Sequence, residues 1–285
     1  MNLHVSEIRD MILNFDREQV KEKIVNFIRN KFEEAEVRRA IIGVSGGVDS
    51  SVAFSLTVKA LGKERVTALI MPYTGITPEE DLRDAIELVS SHGVDYRVID
   101  ISSIVIEIEN SLSKIGLTLP KEARGNLLAR SRMILLYSFA NSLKGLVVGT
   151  GDKSELLIGY FTKYGDGGVD ILPIGDLYKT QVRAMALHLG LPKKIALKPS
   201  SPRLWPGQLA EKELGLTYEV IDPILYALAN LKMSVEELHE IEGLDKVMVD
   251  NVVKRIIATE HKRKLPPIPK LFTGLTAAEL SLTAK

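Results

Sequence analysis

Gly43-Val44-Ser45-Gly46-Gly47-Val48-Asp49-Ser50-Ser51 lies between the apolar run Ala40-Ile41-Ile42 and an apolar helical pattern that reaches Leu61. A small, glycine-rich turn between a strand and a helix offers backbone N–H groups to phosphate. Gly46 and Gly47 remove the Cβ atoms that would hold a phosphate away. Ser45, Ser50 and Ser51 add hydroxyls, and Asp49 adds a carboxylate suited to Mg²⁺. Every residue from Gly43 to Ser51 is thus a candidate nucleotide contact. The stretch has no Lys, which a Walker A loop requires, and no G-x-G-x-x-G. The bland alternative is a strand–helix turn that binds nothing. A bare Gly-Gly would favour it; three hydroxyls and an aspartate beside a strand do not.

On either side of this turn, strands and helices alternate. Val5 to Glu36 carries apolar residues at helical spacing, broken near Asp16, and predicts two amphipathic helices covering a sheet. Strands are expected at Ala40–Val44, Val66–Met71, Tyr96–Ile99 and Leu146–Val148. Helices are expected at Asp49–Leu61, Ile104–Ser113, Lys121–Leu143, Gln181–Leu189 and Val247–Ile257. Thr77-Pro78-Glu79-Glu80 and Ser234-Val235-Glu236-Glu237 read as capping boxes, with Pro78 at the first helical position. Such alternation with short connections implies a parallel, doubly wound sheet. Ligands in these sheets bind beyond the carboxyl ends of the strands. The turn at 43–51 and the segment Gly149-Thr150-Gly151-Asp152 should therefore share one edge.

Composition narrows the chemistry. The chain has 285 residues, 45% of them hydrophobic, so a sizeable core is available. Lys plus Arg and Asp plus Glu both number 37. That balance gives no global basic field for nucleic acid. No apolar run is long enough for a membrane span, and the polar N-terminus does not read as a signal peptide. These points favour a cytoplasmic protein. Cysteine is absent. A disulfide framework, Cys-ligated zinc, an Fe–S cluster and a Cys-nucleophile glutaminase on this chain are all excluded.

A second constellation follows the fourth strand: Gly149-Thr150-Gly151-Asp152-Lys153-Ser154-Glu155, then Gly159-Tyr160-Phe161-Thr162-Lys163-Tyr164-Gly165-Asp166-Gly167-Gly168-Val169-Asp170. Glu155 can give a metal near Asp49 its second carboxylate. Lys163 can meet an anionic group. Gly165, Gly167 and Gly168 would let the loop close over a ligand. Taken alone, a surface turn with ordinary charges explains this stretch equally well.

The pattern S-G-G-x-D-S resembles the pyrophosphate loop of the ATP pyrophosphatases. Together with G-T-G-D-K-S-E and G-Y-F-T-K-Y-G-D-G-G-V-D in this order, it resembles the ammonia-using NAD⁺ synthetases over roughly residues 33–264. Pro173, Tyr178-Lys179-Thr180-Gln181 and His261-Lys262 fit the same pattern. The resemblance implies an α/β fold: a doubly wound, mainly parallel five-stranded sheet with helices on both faces, of the adenine nucleotide alpha hydrolase-like kind. Residues 1–270 would form one domain and 271–285 a tail.

The implied reaction has two steps. The nicotinate carboxylate of deamido-NAD⁺ attacks the α-phosphate of ATP, releasing pyrophosphate. Ammonia then attacks the acyl-adenylate, releasing AMP and NAD⁺. The resemblance places Gly43 to Ser51, Thr150, Lys179 and Ser201 on ATP. It places Asp49 and Glu155 on Mg²⁺, and Arg130, Lys163, Asp170, His261 and Lys262 on deamido-NAD⁺. Asp49, Lys163, Asp166 and Lys179 would carry the chemistry, with Asp166 or Asp170 taking a proton from ammonium. A homodimer is implied, with no nucleic-acid or membrane partner. Lys179 near a helix start is unfavourable on dipole grounds and points to a phosphate nearby. Bland readings stand beside these: Arg130 and Arg132 as structural ion-pair partners, and His261-Lys262-Arg263-Lys264 as a solvated basic run. Pro202-Arg203-Leu204-Trp205-Pro206-Gly207 looks like a lid. Two rival functions remain: another adenylating amidase of the same fold, and an ATP-binding sensor without turnover.

Overall fold

The computed structural model describes residues 3–275. Four strands form one sheet: β1 (Arg39–Gly43), β2 (Val66–Ile70), β3 (Asp95–Val98) and β4 (Gly145–Val148). Their order is β3-β2-β1-β4, and every pairing is parallel. The expected fifth strand is not formed among the described residues. The segment at 169–171 lies beside β4 but meets it through a single bridge, Val148 to Ile171. Asp170 is the reason. Its carboxylate accepts the Val147 N–H at 2.7 Å and the Tyr137 hydroxyl at 3.0 Å, so a side chain takes the place of a ladder bond. Pro173, which has no N–H to donate, follows three residues after Asp170.

Before β1 come α1 (Val5–Leu13) and α2 (Arg17–Glu34), separated at Asp16. Asp16 caps α2 by accepting the Gln19 N–H at 3.0 Å. Between the strands run α3 (Val48–Leu61), α4 (Glu79–Ser91), α5 (Ser102–Ser113) and α6 (Lys121–Leu143). The two-residue period of β1 divides them. Ala40 and Ile42 pack with Ile28 of α2, Val52 and Leu56 of α3 and Leu88 of α4. Ile41, with Leu69 and Val147, packs on Val105 of α5 and Leu128 and Ala140 of α6. A strand covered on both faces needs a continuous apolar run, which Ala40-Ile41-Ile42 supplies. Each fully buried isoleucine there contributes about 1.5–3 kcal/mol. The sheet is thus doubly wound with helices on both faces.

After β4 come α7 (Lys153–Ile158), α8 (Lys179–His188), α9 (Lys193–Ala196), α10 (Ala210–Leu214), α11 (Tyr218–Ala229), α12 (Val235–Leu238) and α13 (Lys246–Ala258). α7 and α10 to α13, with Tyr178 at the cap of α8, build a second core that includes Ile158, Ile221, Leu225 and Val249, while α8 and α9 pack on the sheet core through Val182, Met185 and Ala196. Ile8 and Ile12 of α1 belong to the second core. Only α2 of the first two helices covers the sheet, because the buried face of α1 meets α11 and α8 instead. The capping box at Ser234 forms, with reciprocal bonds to Glu237. The one expected at Thr77 does not. Thr77 Oγ1 accepts the Tyr73 N–H at 2.9 Å, and Pro78 stands at the cap itself. Residues 271–275 have no regular structure, and the rest of the expected tail lies outside the described residues.

The chain builds β2 and β3 on one side of β1, then crosses to place β4 on the other. Strand order reverses at the β1–β4 pair, so the loops after these two strands part around a crevice. No helix among the described residues is long and apolar enough to cross a membrane.

Candidate active site

The crevice is a cavity of about 380 Å³. Gly43, Val44, Ser45, Gly47, Val48, Asp49 and Ser50 line one wall, and Thr150, Gly151 and Glu155 line another. The two loops therefore share the edge that their strands predict. Hydroxyls hold the first loop in shape. Ser50 Oγ accepts the Ser45 N–H at 3.1 Å and donates to the Gly47 carbonyl at 3.1 Å. Ser51 is buried and donates to that carbonyl at 2.8 Å, so it shapes the loop without lining the cavity. Gly46 also lies behind the wall. Its φ is +79°, and a Cβ there would come within 2.3 Å of the Asp81 carbonyl oxygen. No other residue fits that position. Gly47 caps α3, whose first N–H groups have no intrahelical acceptor and suit an anion.

Lys179 forms the floor. It is fully buried, and its Nζ lies 2.7 Å from Asp49 Oδ1, 2.9 Å from Asp152 Oδ2 and 2.8 Å from Glu155 Oε1. These carboxylates come from the start of α3 and the capping box that opens α7. The lysine comes from the first residue of α8. The neighbours that explain a lysine at this helix start are three carboxylates; the phosphate expected from the dipole argument is not needed. Burial raises the Asp152 carboxyl well above the usual range, against the pull of Lys179, and raises Glu155 to about 7. Burial opposes the charge on Lys179, but Asp152, Asp49 and Glu155 outweigh it and hold the ammonium form.

A metal fits this floor. One oxygen from each of Asp49, Asp152 and Glu155 lies within 4.8 Å of the others. Asp49 Oδ1 and Asp152 Oδ2 are buried and meet Lys179 as ion pairs, yet neither receives an aligned hydrogen bond. Three carboxyl groups face one ammonium, and two of their oxygens lack a donor. All-oxygen ligands of this kind suit Mg²⁺. Asp152 escaped the sequence reading, although D-x-x-E at 152–155 is a capping-box signature that puts both carboxylates at one helix end. Below the floor, Asp222 accepts from Ser154 Oγ at 2.6 Å and from the Thr180 N–H at 2.9 Å. It ties α7 to α8, and burial raises its carboxyl to about 6.

The loop at 159–170 is arranged differently. Asp166 lines the cavity, is raised by burial, and accepts the Thr162 N–H at 2.8 Å. Lys262 also lines it, with Nζ on the carbonyls of Gly159 and Phe161 at 2.8 and 2.7 Å. Arg130, Lys163, Asp170 and His261 do not line the cavity. Lys163 Nζ donates to the His261 carbonyl at 2.6 Å, and Arg130 donates to the Lys163 carbonyl at 3.3 Å. The glycines serve the loop's own packing. A Cβ on Gly167 would meet the Phe161 ring at 2.5 Å, and one on Gly165 would meet Thr162 at 2.9 Å. Arg132, read as a structural residue, instead lines the cavity; its Nε donates to the Met71 carbonyl, and burial lowers it to about 10.

Residues 199–209 close the top. Ser201 lines the cavity and donates to the Gln208 carbonyl at 2.5 Å. Leu204 and Trp205 press on Gly125 of α6, and Lys121 Nζ sits 4.3 Å from the Trp205 ring centre. Trp205 thus anchors the lid to α6.

Known proteins resemble this chain over most of its length. A family profile described as NAD synthase matches residues 20–266. The NH(3)-dependent NAD(+) synthetase of Hyperthermus butylicus is 54% identical over 258 residues, covering 90% of this chain and 92% of that protein. Among solved structures, an NMN synthetase from Francisella tularensis superposes with a TM-score of 0.80. It is 32% identical and covers 90% of this chain and 100% of its own. An NH3-dependent NAD synthetase from Campylobacter jejuni gives 0.75 at 32% identity, with the same coverage.

Proposed function

We propose, from the premise that the chain belongs to the NAD synthase family, a division of labour among its residues. The chain is a ligase that joins ammonia to deamido-NAD⁺ with ATP as co-substrate. One observation carries the assignment of roles: Asp49, Asp152 and Glu155 converge on Lys179 at the mouth of the phosphate loop.

The loop at 43–51 and the start of α3 bind the phosphates of ATP, with Thr150 and Ser201 on the walls beside them. A carboxylate is a poor acyl donor because its leaving group is oxide; adenylation replaces oxide with AMP. Charge then develops on the departing pyrophosphate, and preorganised N–H groups and cations stabilise it. Asp49 and Glu155, with Asp152 as a third ligand, would hold Mg²⁺, which when bound supplies positive charge to the phosphates. Lys179 keeps the three carboxylates together before nucleotide arrives. Asp166, buried and raised by burial, takes the proton that ammonium must lose before its nitrogen can attack.

Arg130, Lys163, Asp170, His261 and Lys262 meet the dinucleotide where it leaves the cavity, and a second subunit completes that path. The apolar Ile106 and Ile134, half-exposed on α5 and α6, support a homodimer. Residues 1–270 act as one unit, since α1 is built into the C-terminal core. We place the reaction in the cytoplasm, where ATP is supplied.

Purified protein with ATP, Mg²⁺, ammonium and deamido-NAD⁺ should yield NAD⁺, AMP and pyrophosphate in equal amounts. Glutamine in place of ammonium should yield little. Absence of NAD⁺ and AMP would sink the proposal. The NMN synthetase neighbour makes the mononucleotide the competing substrate, and the same assay should turn it over more slowly.

A further inference from the structure

The departing pyrophosphate needs cations, and the phosphate loop contains none. Lys179 is already outnumbered by three carboxylates. Two other cations line the cavity on the loop's own side, Lys198 and Arg203. Both are held by Asp81, at the first turn of α4. Lys198 Nζ lies 2.9 Å from Asp81 Oδ1, and Arg203 Nε lies 2.7 Å from Asp81 Oδ2. Asp81 is also the residue whose backbone carbonyl abuts Gly46, so the carboxylate that holds these cations belongs to a residue packed against the loop.

Arg203 is unusual in three respects. It sits on the lid in the left-handed region, at φ 50°, a conformation that costs a non-glycine residue energy. Its backbone N–H is fixed by Ser201 Oγ at 3.2 Å. Among the described residues only its Nε has a side-chain partner, so the two terminal nitrogens of a cavity-lining guanidinium are left with donors to spare.

We propose that Arg203, backed by Lys198, binds the pyrophosphate half of ATP and is held ready on Asp81 until nucleotide enters. The inference rests on the ligase reading above. A guanidinium fork can bind a phosphate at two points, so transfer from Asp81 to a phosphate exchanges a single Nε contact for a two-point one. The exchange strands no carboxylate. Asp81 keeps Lys198, and Asp84 keeps Lys194 at 2.6 Å and Lys198 at 2.6 Å. The lid would close on ATP through the residue that meets the leaving group, and would loosen when pyrophosphate departs.

Product inhibition separates this role from a structural one. In Arg203→Ala, inhibition by inorganic pyrophosphate should weaken about tenfold, the effect of losing one charge-assisted hydrogen bond, while inhibition by AMP stays as in the wild type. Arg203→Lys should fall between the two. Pyrophosphate and AMP inhibition weakening together would mean that the lid has merely loosened, and neither moving would mean that Arg203 does not meet the phosphates; both results overturn the proposal. Should Arg203→Ala fail to fold, Arg203→Lys carries the test alone: weakened pyrophosphate inhibition with intact AMP inhibition supports it, and wild-type values overturn it. Calorimetric titration of inorganic pyrophosphate with Mg²⁺ into both proteins reads the same difference without turnover. Wild-type protein that forms no NAD⁺ refutes the ligase reading; wild-type protein that does, with pyrophosphate affinity unchanged in the variants, refutes this inference alone.

Discussion

The cavity floor and the loop at 159–170 are both dense in charge, but their charges are neutralised in opposite ways. On the floor, side chains from α3, α7 and α8 meet one another around the buried Lys179. In the loop, charged side chains meet backbone: Lys163 on the His261 carbonyl, Lys262 on two carbonyls, Asp166 on the Thr162 N–H and Asp170 on the Val147 N–H. Charges that neutralise one another can pass a partner to an incoming ion. Charges bonded to backbone set the shape of the chain. On the reading we propose, metal chemistry concentrates on the floor, and the loop, Asp166 apart, gives the substrate path its form.

Lys179→Met breaks the floor and should have the largest effect. It leaves the buried Asp152 and the partly buried Asp49 and Glu155 without their cation, at a cost of about 3–5 kcal/mol in unfolding free energy, and NAD⁺ formation should be lost. Urea denaturation with and without Mg²⁺ checks it, since added Mg²⁺ should restore part of the loss. A variant as stable as the wild type would contradict the floor as described.

Next is the pH dependence contributed by Asp222. Its folded-state pKa, about 6, lies above its ordinary value of 3.8. A raised carboxyl contributes stability that is fully present below the unfolded value and is lost as pH rises through the folded one. Between about pH 4 and about pH 6 the loss is on the order of 3 kcal/mol. Asp222→Asn, which does not titrate, should give a flatter curve of melting temperature against pH over that window. A curve parallel to the wild type would remove Asp222 from the account.

The smallest effect is expected in the loop. Asp170→Asn loses the charge that accepts the Val147 N–H and the Tyr137 hydroxyl. Stability should fall by about 1–2 kcal/mol in thermal or chemical unfolding. The Mg²⁺ dependence of the reaction should stay that of the wild type. If that dependence shifts, the two regions are not separate.

Reading the sequence reaches some of this and misses the rest for physical reasons. The strand–loop–helix at 40–61 is legible because three local signals coincide: an apolar run, a glycine pair and a return to helical spacing. The capping box at Ser234 is legible for the same reason. Thr77 carries an identical signature, but a competing bond to the Tyr73 N–H takes its hydroxyl, and no local pattern reports that competition. Lys179 and Asp152 are 27 positions apart in the numbering, and their ion pair exists only once α7 and α8 are packed. Asp49 and Glu155 are legible as two carboxylates for one metal, but their meeting at Lys179 is not. The destination of α1 is equally invisible, because an apolar stripe does not say which core it joins. The expected fifth strand had no position in the sequence pattern, and beside β4 the carboxylate of Asp170 takes the place of a ladder bond.

The most direct test of the floor as the chemical centre is the rate of NAD⁺ formation against Mg²⁺ concentration in the wild type and Asp152→Asn. The Mg²⁺ needed for half-maximal rate should rise by about tenfold or more in the variant, as expected when a residue that binds or orients around a metal is changed. Superimposable Mg²⁺ curves for the two proteins would contradict the account.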